Sequence, residues 1–348
     1  MKKSVSSKGL VAFNAMLAGL AGISNGATYA APFTGFDAMA AKPGTMTAFD
    51  ASIQVEGNFI EALTTYATGW KPEPGVDELL GFITRPEKVG ERFEYEQLTN
   101  VEAFLSNVDE DLRAKRSEFK ELPPPTSTKV LAETTNRGLM MLVENKLFAQ
   151  KGGNYYTGMI MQRLKLNKVR RAFALLSAAA NNTAKTWDTT SGKDPDQDVE
   201  TQLITAADSS GIRPNRVLYG ETAWSKRRLS HRAQATAGGF ASAAMTAEQV
   251  AQHLTVDGVL VGKARYASSA SARAQVVANL VIMFNALASA DLQDPTNVID
   301  FWSPCDIGGG QYAVYQWSIG SKFTGIAVEH NEKLAAVSTL GVEKFTVS

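Results

Sequence analysis

Gly211-Ile-Arg-Pro-Asn-Arg-Val-Leu-Tyr-Gly-Glu-Thr-Ala-Trp-Ser-Lys-Arg-Arg-Leu229 holds a helix end, a turn, a strand and a helix start in one short run. Gly211 stops a preceding helical pattern, and Pro214-Asn215 makes the turn. Arg216 to Tyr219 is extended, with Val217, Leu218 and Tyr219 as its apolar run. Gly220 breaks the strand, and Thr222 is expected to cap a helix carrying Trp224 and Leu229. A corner of this kind specifies architecture and no chemistry.

Upstream, Thr186 to Gln197 is a polar loop, and Gln197 to Ala207 an amphipathic helix leading into the corner. The longest helix expected runs from Met159 to Ala180, with Leu166, Val169, Phe173, Leu176 and Ala180 stepping by three and four along one face. Arg163, Lys165, Lys168, Arg170 and Arg171 crowd its first half. They read either as a solvated face or as a basic stripe toward phosphate. Thr128 to Ala132 is a strand and Leu139 to Phe148 a helix. Asn58 to Ala67 is a short helix closed by Gly69-Trp70-Lys71-Pro72.

Downstream, Arg232 to Ala244 is small and loose, like a surface loop. Thr246-Ala247-Glu248-Gln249 matches a capping box opening a helix to Leu254. Asp257-Gly258 turns into a buried strand, Gly258 to Ala264. Gln275 to Ala288 fits strand or helix, and Tyr312 to Ile319 alternates as a strand. Two further strands are expected at Gly325 to Glu329 and Leu334 to Ser338. Helices and strands mixed in this order make the fold class α+β.

Phe82 to Glu121 is the most charged region, with ten acidic and seven basic residues among forty. Glu91-Arg92-Phe93-Glu94-Tyr95-Glu96 alternates charge with aromatics, as a strand does, and Pro123-Pro124-Pro125 closes the run. A projection this long, with little apolar residue to anchor it, reads as an arm laid across a neighbour, its charges fixing register. Gly26 to Gly57 is rich in Ala, Gly, Thr and Pro yet carries Phe33, Phe36, Met39, Met46 and Phe49. It cannot form a core alone, so it reads as a second arm burying its aromatics on another subunit.

Composition limits the function. Hydrophobic residues make up 44% and charged residues 20%, enough for a packed core, and 35 basic residues equal 35 acidic ones. Zero net charge argues against a dedicated nucleic-acid binder. Cys305 is the sole cysteine and is read as structural. His231, His253 and His330 have no metal-ligand spacing. No nucleophile elbow or phosphate loop occurs, so no enzyme, cofactor or metal site is expected. Lys2, Lys3 and Lys8 ahead of Leu10 to Ile23 imitate a secretory signal, weakened by Asn14, Gly19 and Gly22. An exported periplasmic or surface binding protein is therefore the reading from another class.

The corner and the run Met245 to Tyr266, with its helix followed by Val259-Leu260-Val261-Gly262-Lys263-Ala264-Arg265-Tyr266, resemble the major capsid proteins of tailed bacteriophages. The resemblance implies the Hong Kong 97 fold: an N-terminal arm at 1–80, an extended loop at 81–128, and a peripheral domain with a spine helix at 129–190. An axial domain follows at 191–319, and returning peripheral strands at 320–348. It also implies self-assembly into hexamers and pentamers closing an icosahedral shell around double-stranded DNA. The shell would form in the host cytoplasm and belong to the virion, with portal, scaffold or decoration proteins as partners and no membrane. An encapsulin-like compartment is the alternative within the fold. Candidate inter-subunit residues are Phe33, Phe36, Phe49, Arg85, Lys88, Glu91, Arg92, Glu94, Arg113 and Arg116; candidate DNA-facing residues are Lys165, Lys168 and Arg171.

Overall fold

A computed structural model describes residues 58–72, 75–98, 127–190, 192–269, 271–289 and 294–348, together with Leu112, Lys115 and Glu118. Phe33, Phe36, Phe49, Arg113 and Arg116 lie outside the described residues, as does the lysine-led N-terminal run.

The elements run in this order. Strand β1 (Asn58–Phe59) precedes helices α1 (Glu61–Gly69) and α2 (Val76–Ile83), then β2 (Arg85–Lys88), β3 (Arg92–Leu98), β4 (Ser127–Glu133) and β5 (Thr135–Glu144). Helices α3 (Asn145–Lys151) and α4 (Gly153–Ala179) lead to β6 (Asn181–Lys185), α5 (Pro195–Ser210) and β7 (Arg216–Gly220). Helices α6 (Glu221–Ala233), α7 (Ala237–Ala244) and α8 (Ala247–His253) precede β8 (Gly258–Gly262), β9 (Arg265–Ala267), β10 (Arg273–Gln275) and β11 (Leu280–Phe284). The chain ends with β12 (Val298–Ser303), β13 (Ala313–Ile319), β14 (Phe323–Ala336) and β15 (Glu343–Val347).

Two main sheets share the spine helix α4. In the first, β14 is the axis: β5 runs along one edge, while β13 and then β12 line the other, and β2 pairs parallel with β12. Ile160, Met161 and Leu164 of α4 pack there with Leu63 of α1 and Val314, Ile326 and Val328 of the sheet. The second sheet has the order β6-β15-β11-β7-β8. Its strands are covered on both faces, which is why β7 reads as an unbroken apolar run. Leu218, Ile282 and Phe284 meet α2 and the second half of α4. Val217, Tyr219, Val281 and Met283 meet α5, α6 and α8. Val169 and Leu176 of α4 are fully buried, each worth about 2 kcal/mol of transfer free energy.

The corner at Gly211 has physical causes. Gly211 caps α5 with φ 72°, a conformation that costs a side chain, and its N–H donates to Ala207 O at 2.8 Å. Asn215 ties three segments: its Nδ2 donates to Asp257 Oδ2 at 2.9 Å and to Ala286 O at 3.2 Å, and its Oδ1 accepts from Ala286 N at 3.0 Å. A Cβ at Gly220 would fall 1.7 Å from Ala278 O, so only glycine lets β7 enter α6 there.

Several expectations change. Thr222 is inside α6 rather than at its cap, which is Gly220; the Thr222 hydroxyl donates to Gln275 Oε1 at 3.2 Å. Residues 139–144 belong to strand β5, because ten residues pair with β14; only 145–148 are helical there. The loose run 232–244 holds the end of α6 and all of α7, whose Thr236 caps Gly239 N at 3.0 Å. The two C-terminal strands are one, β14, joined through buried His330, Asn331 and Glu332. The open choice at 275–288 resolves to strand at Leu280–Phe284. The capping box at Thr246 and Gln249 forms with both bonds present.

Helices α1 and α2, expected within the N-terminal arm, pack on α4. Strand β2 pairs with β12, so 85–88 belongs to the body. Strands β12 and β13 join the first sheet rather than the unit begun at 191, and β15 joins the second.

Candidate functional site

Two charge-bearing regions were singled out by sequence, and they are built in opposite ways. The first is the hairpin β3–β4, paired from Arg92↔Glu133 to Leu98↔Ser127. Its period of two sends Phe93 and Tyr95 inward, onto Phe301 of β12, with ring centroids 4.7 and 5.5 Å away. Ile299, Ala335 and Val337 complete that cluster. The hairpin is therefore anchored by aromatics, contrary to the expectation of little apolar support. Its root is closed by Thr134 N donating to Glu91 O at 2.9 Å, and the far end of β3 is tied to the body by Leu98 N donating to Val337 O at 3.0 Å.

The outward face carries Arg92, Glu94 and Glu96 opposite Glu133, Leu131 and Lys129. Leu131 is 73% exposed in the middle of it. Arg92 Nε and Glu133 Oε2 are 3.6 Å apart, both side chains mostly in solvent. Glu91, Arg92 and Glu94 are all exposed. Lys88 is exposed with its ammonium 5.6 Å from the Trp302 ring centroid. Arg85 differs: its side chain is nearly buried and pairs with Asp294 at 2.5 Å, so it anchors β2 inside the chain.

The second region is the cationic half of α4. Lys165 Nζ bonds Trp70 O at 3.0 Å and Asp77 Oδ2 at 3.1 Å. Lys168 is buried, its Nζ 2.6 Å from Asp300 Oδ2 and 3.5 Å from Glu332 Oε2. Arg171 pairs with Glu332 Oε1, and Arg137 Nε of β5 lies 3.1 Å from the same oxygen. His330 Nε2 lies 3.1 Å from Glu332 Oε2. Burial would push the Glu332 carboxyl up, but His330, Lys168 and Arg171 outweigh it and hold it at about 2. Burial dominates at Asp300 and raises its pKa, against the pull of Lys168. The expected phosphate-facing stripe is thus not a stripe. Lys168 is inside the protein, and Lys165 and Arg171 direct their charge to Asp77 and Glu332. The exposed cations of this half are Arg163 and Arg170, the latter stacked 3.9 Å from the Tyr266 ring centroid.

A third cluster closes the second sheet's helical layer. Arg227 Nε and Nη2 donate to the two oxygens of Asp196 at 2.6 and 2.7 Å, a bidentate pair. Arg227 Nη2 also reaches Ser242 O at 3.3 Å, and His231 Nε2 lies 3.1 Å from Asp196 Oδ2. Burial opposes ionisation of Asp196, yet His231 and Arg227 bring it down to about 2. The cluster staples α5, α6 and α7. His253 is exposed, and Cys305 is a buried thiol that burial and Glu329 push up to about 11. Among the described residues no group of three or more His, Cys, Asp or Glu is placed to hold a metal ion, and no helix is long and apolar enough to cross a membrane.

Asp300 and Glu332, the partners of Lys168, and Arg137 and His330, which share Glu332, carry no local signal in the sequence. Glu332 stands 164 positions from Lys168, a distance no local pattern spans. Phe93 and Tyr95 were visible as the apolar half of an alternation.

No family model and no curated protein matches the chain. Among solved structures it is similar to a phage-related protein from Bordetella bronchiseptica RB50, at 20% identity and a TM-score of 0.57, over 83% of this chain and 97% of that one. It is also similar to a virus-like particle from Pyrococcus furiosus (9% identity, TM-score 0.48, 82% of this chain and 98% of that one). A putative capsid protein of a prophage of E. coli CFT073 is similar at 10% identity and a TM-score of 0.47, over 84% and 99% of the two chains. The fold is α+β of the Hong Kong 97 type.

Proposed function

We propose that this chain is a phage major capsid protein: a structural subunit that assembles into hexamers and pentamers and closes an icosahedral head around double-stranded DNA. The single observation that carries the reading is the β3–β4 hairpin on this fold. Its inner face is locked to the body by Phe93 and Tyr95 on Phe301, while its outer face turns alternating charge and Leu131 to solvent. A ribbon held on its inner face, with its outer face in solvent, is suited to lie on a second copy, with charge setting register. Repeated heterologous contacts of that kind close into rings and shells. The Bordetella protein that shares the fold is described as phage-related.

On this reading the first sheet with α4 is the peripheral domain, and the second sheet with α5 to α8 is the axial domain. We place the extended loop between Glu91 and Thr134, starting and ending later than the expected 81–128. Glu91, Arg92, Glu94 and Lys88 remain the proposed contact residues; Arg85 becomes an internal anchor. Phe33, Phe36 and Phe49 of the N-terminal arm, with Arg113 and Arg116, are proposed on sequence alone. The localisation is the virion, and portal, scaffold or decoration proteins are the further partners. Packaged DNA would meet the shell without help from Lys168.

Electron microscopy of the purified full-length chain tests the reading. Closed particles of uniform size are expected. A chain that stays monomeric across salt and concentration overturns it.

A further inference from the structure

Between the second half of α4, the start of β5 and β14 lies a cavity of about 380 Å³, lined by Thr135, Arg137, Arg171, Glu332, Lys333 and the apolar Ala174, Leu175 and Leu334. Its charges do not balance. Among the described residues, Glu332 is the only carboxylate in ion-pair reach of either guanidinium, and both crowd its Oε1. Its Oε2 is taken by His330 and Lys168. Asp300 supplies one more negative charge, but it sits against Lys168 and burial pushes it toward the neutral form. Arg137, Lys168 and Arg171 therefore share two carboxylates. Arg171 is pushed down, first by burial and further by Arg137, against the pull of Glu332. Arg137 keeps 41% of its side chain exposed and Arg171 31%, both in the cavity wall.

We infer that this cavity is an oxyanion site, taking a phosphate or carboxylate group between the guanidinium planes of Arg137 and Arg171. The planar fork of each guanidinium matches two oxygens of such a group. The Glu332 carboxylate in the wall is shared by Lys168 and both arginines, so it offsets only part of their charge. Ala174 and Leu175 wall the cavity with apolar groups, which strengthens a charge-assisted bond formed inside it. The site is distinct from the hairpin contact proposed above and does not depend on it. The anion has two possible sources: a free inorganic oxyanion, or an acidic side chain of a second copy of this chain.

Calorimetric titration of the full-length chain with inorganic phosphate, at ionic strength held constant with chloride, tests the assignment. Saturable binding is expected in the unassembled fraction. Arg137→Gln should weaken it about tenfold, the loss of one charge-assisted donor pair. Arg137 is the more exposed of the two, so this variant is chosen to keep the fold; Arg171→Gln gives the second reading. Phosphate binding retained in the assembled fraction assigns the site to a free anion. Binding confined to the unassembled fraction assigns it to a neighbour's carboxylate. No saturable binding in either fraction, or binding unchanged in both variants, overturns the site. A chain that never assembles defeats the capsid reading but leaves the unassembled titration decisive here.

Discussion

The β3–β4 hairpin and the cationic half of α4 look alike as sequence and behave as opposites. Each is a run of charge interleaved with apolar residues. In the hairpin the charges point out and the aromatics in, so its ion pairs are wet and few. On α4 the charges are drawn inward by Asp300 and Glu332, and a lysine ends in the core. An exposed pair contributes at most about 1 kcal/mol, whereas a buried charge left without its partner costs several. Charge on this molecule therefore holds the body together at α4, and is left available at the hairpin.

The largest effect should come from Lys168→Met. It leaves Asp300 and Glu332 buried without the ammonium between them, at a cost of about 3 kcal/mol in denaturant unfolding of the subunit. Asp300 limits the loss by taking up a proton. Adding Asp300→Leu should recover much of it, since an apolar pair can replace a buried ion pair. A cost near zero for Lys168→Met would erase the contrast between the two regions.

Acid sharpens the same contrast. Asp196 and Glu332 have folded pKa values near 2, below their ordinary 3.8 and 4.5. A lowered carboxylate pKa stabilises the fold above its unfolded value, and that contribution is lost as pH falls from there through about 2. Asp300 is shifted the other way, so folding penalises its ionised form and acid relieves that penalty, softening the loss around Glu332. The Asp196–Arg227–His231 staple has no such relief. Its loss should be on the order of 2 kcal/mol, felt first as faster hydrogen exchange in α5 and α6 below pH 4. A carboxyl titration of Asp196 with its midpoint near 4, rather than about 2, would remove this expectation.

What the sequence disclosed follows the range of each interaction. Local devices were legible: the glycine end of α5, the Thr246 box and the apolar face of α4. The α+β class followed from their order, and the fold type from the resemblance carried by Gly211 to Leu229 and Met245 to Tyr266. Non-local pairing was not. Leu139 to Val143 has an apolar run that suits a helix, and became a strand because β14 offered ten partners. His330-Asn331-Glu332 looked like a break between strands because its polar groups find Arg137, Lys168 and Asn136 only in three dimensions. The same gap hid the fate of the lysines. Nothing near Lys168 in sequence distinguishes it from exposed Arg163.

Phe93→Ala tests whether the hairpin is held as tightly as its ring contacts imply. Phe93 is half-buried, so the cost should be about 1–2 kcal/mol, below that of a fully buried Phe. The loss should be local. Proteolysis or hydrogen exchange should quicken across β3 and β4, with β14 and α4 still protected. Uniform loosening of both regions would mean that the hairpin is part of the body's cooperative unit rather than a projection from it.

The smallest change in the subunit comes from the outer face. Arg92→Ala removes an exposed pair 3.6 Å long and should alter unfolding free energy by less than about 0.5 kcal/mol. Glu94→Lys, opposite Leu131, should be equally silent in the isolated subunit. If the outer face sets register on a second copy, Glu94→Lys will still lower particle yield, because a like charge in a contact acts only once the contact forms. Normal yield from both variants would leave the hairpin's charge without a partner. Reduced yield with unchanged subunit stability would separate the charge that assembles from the charge that folds.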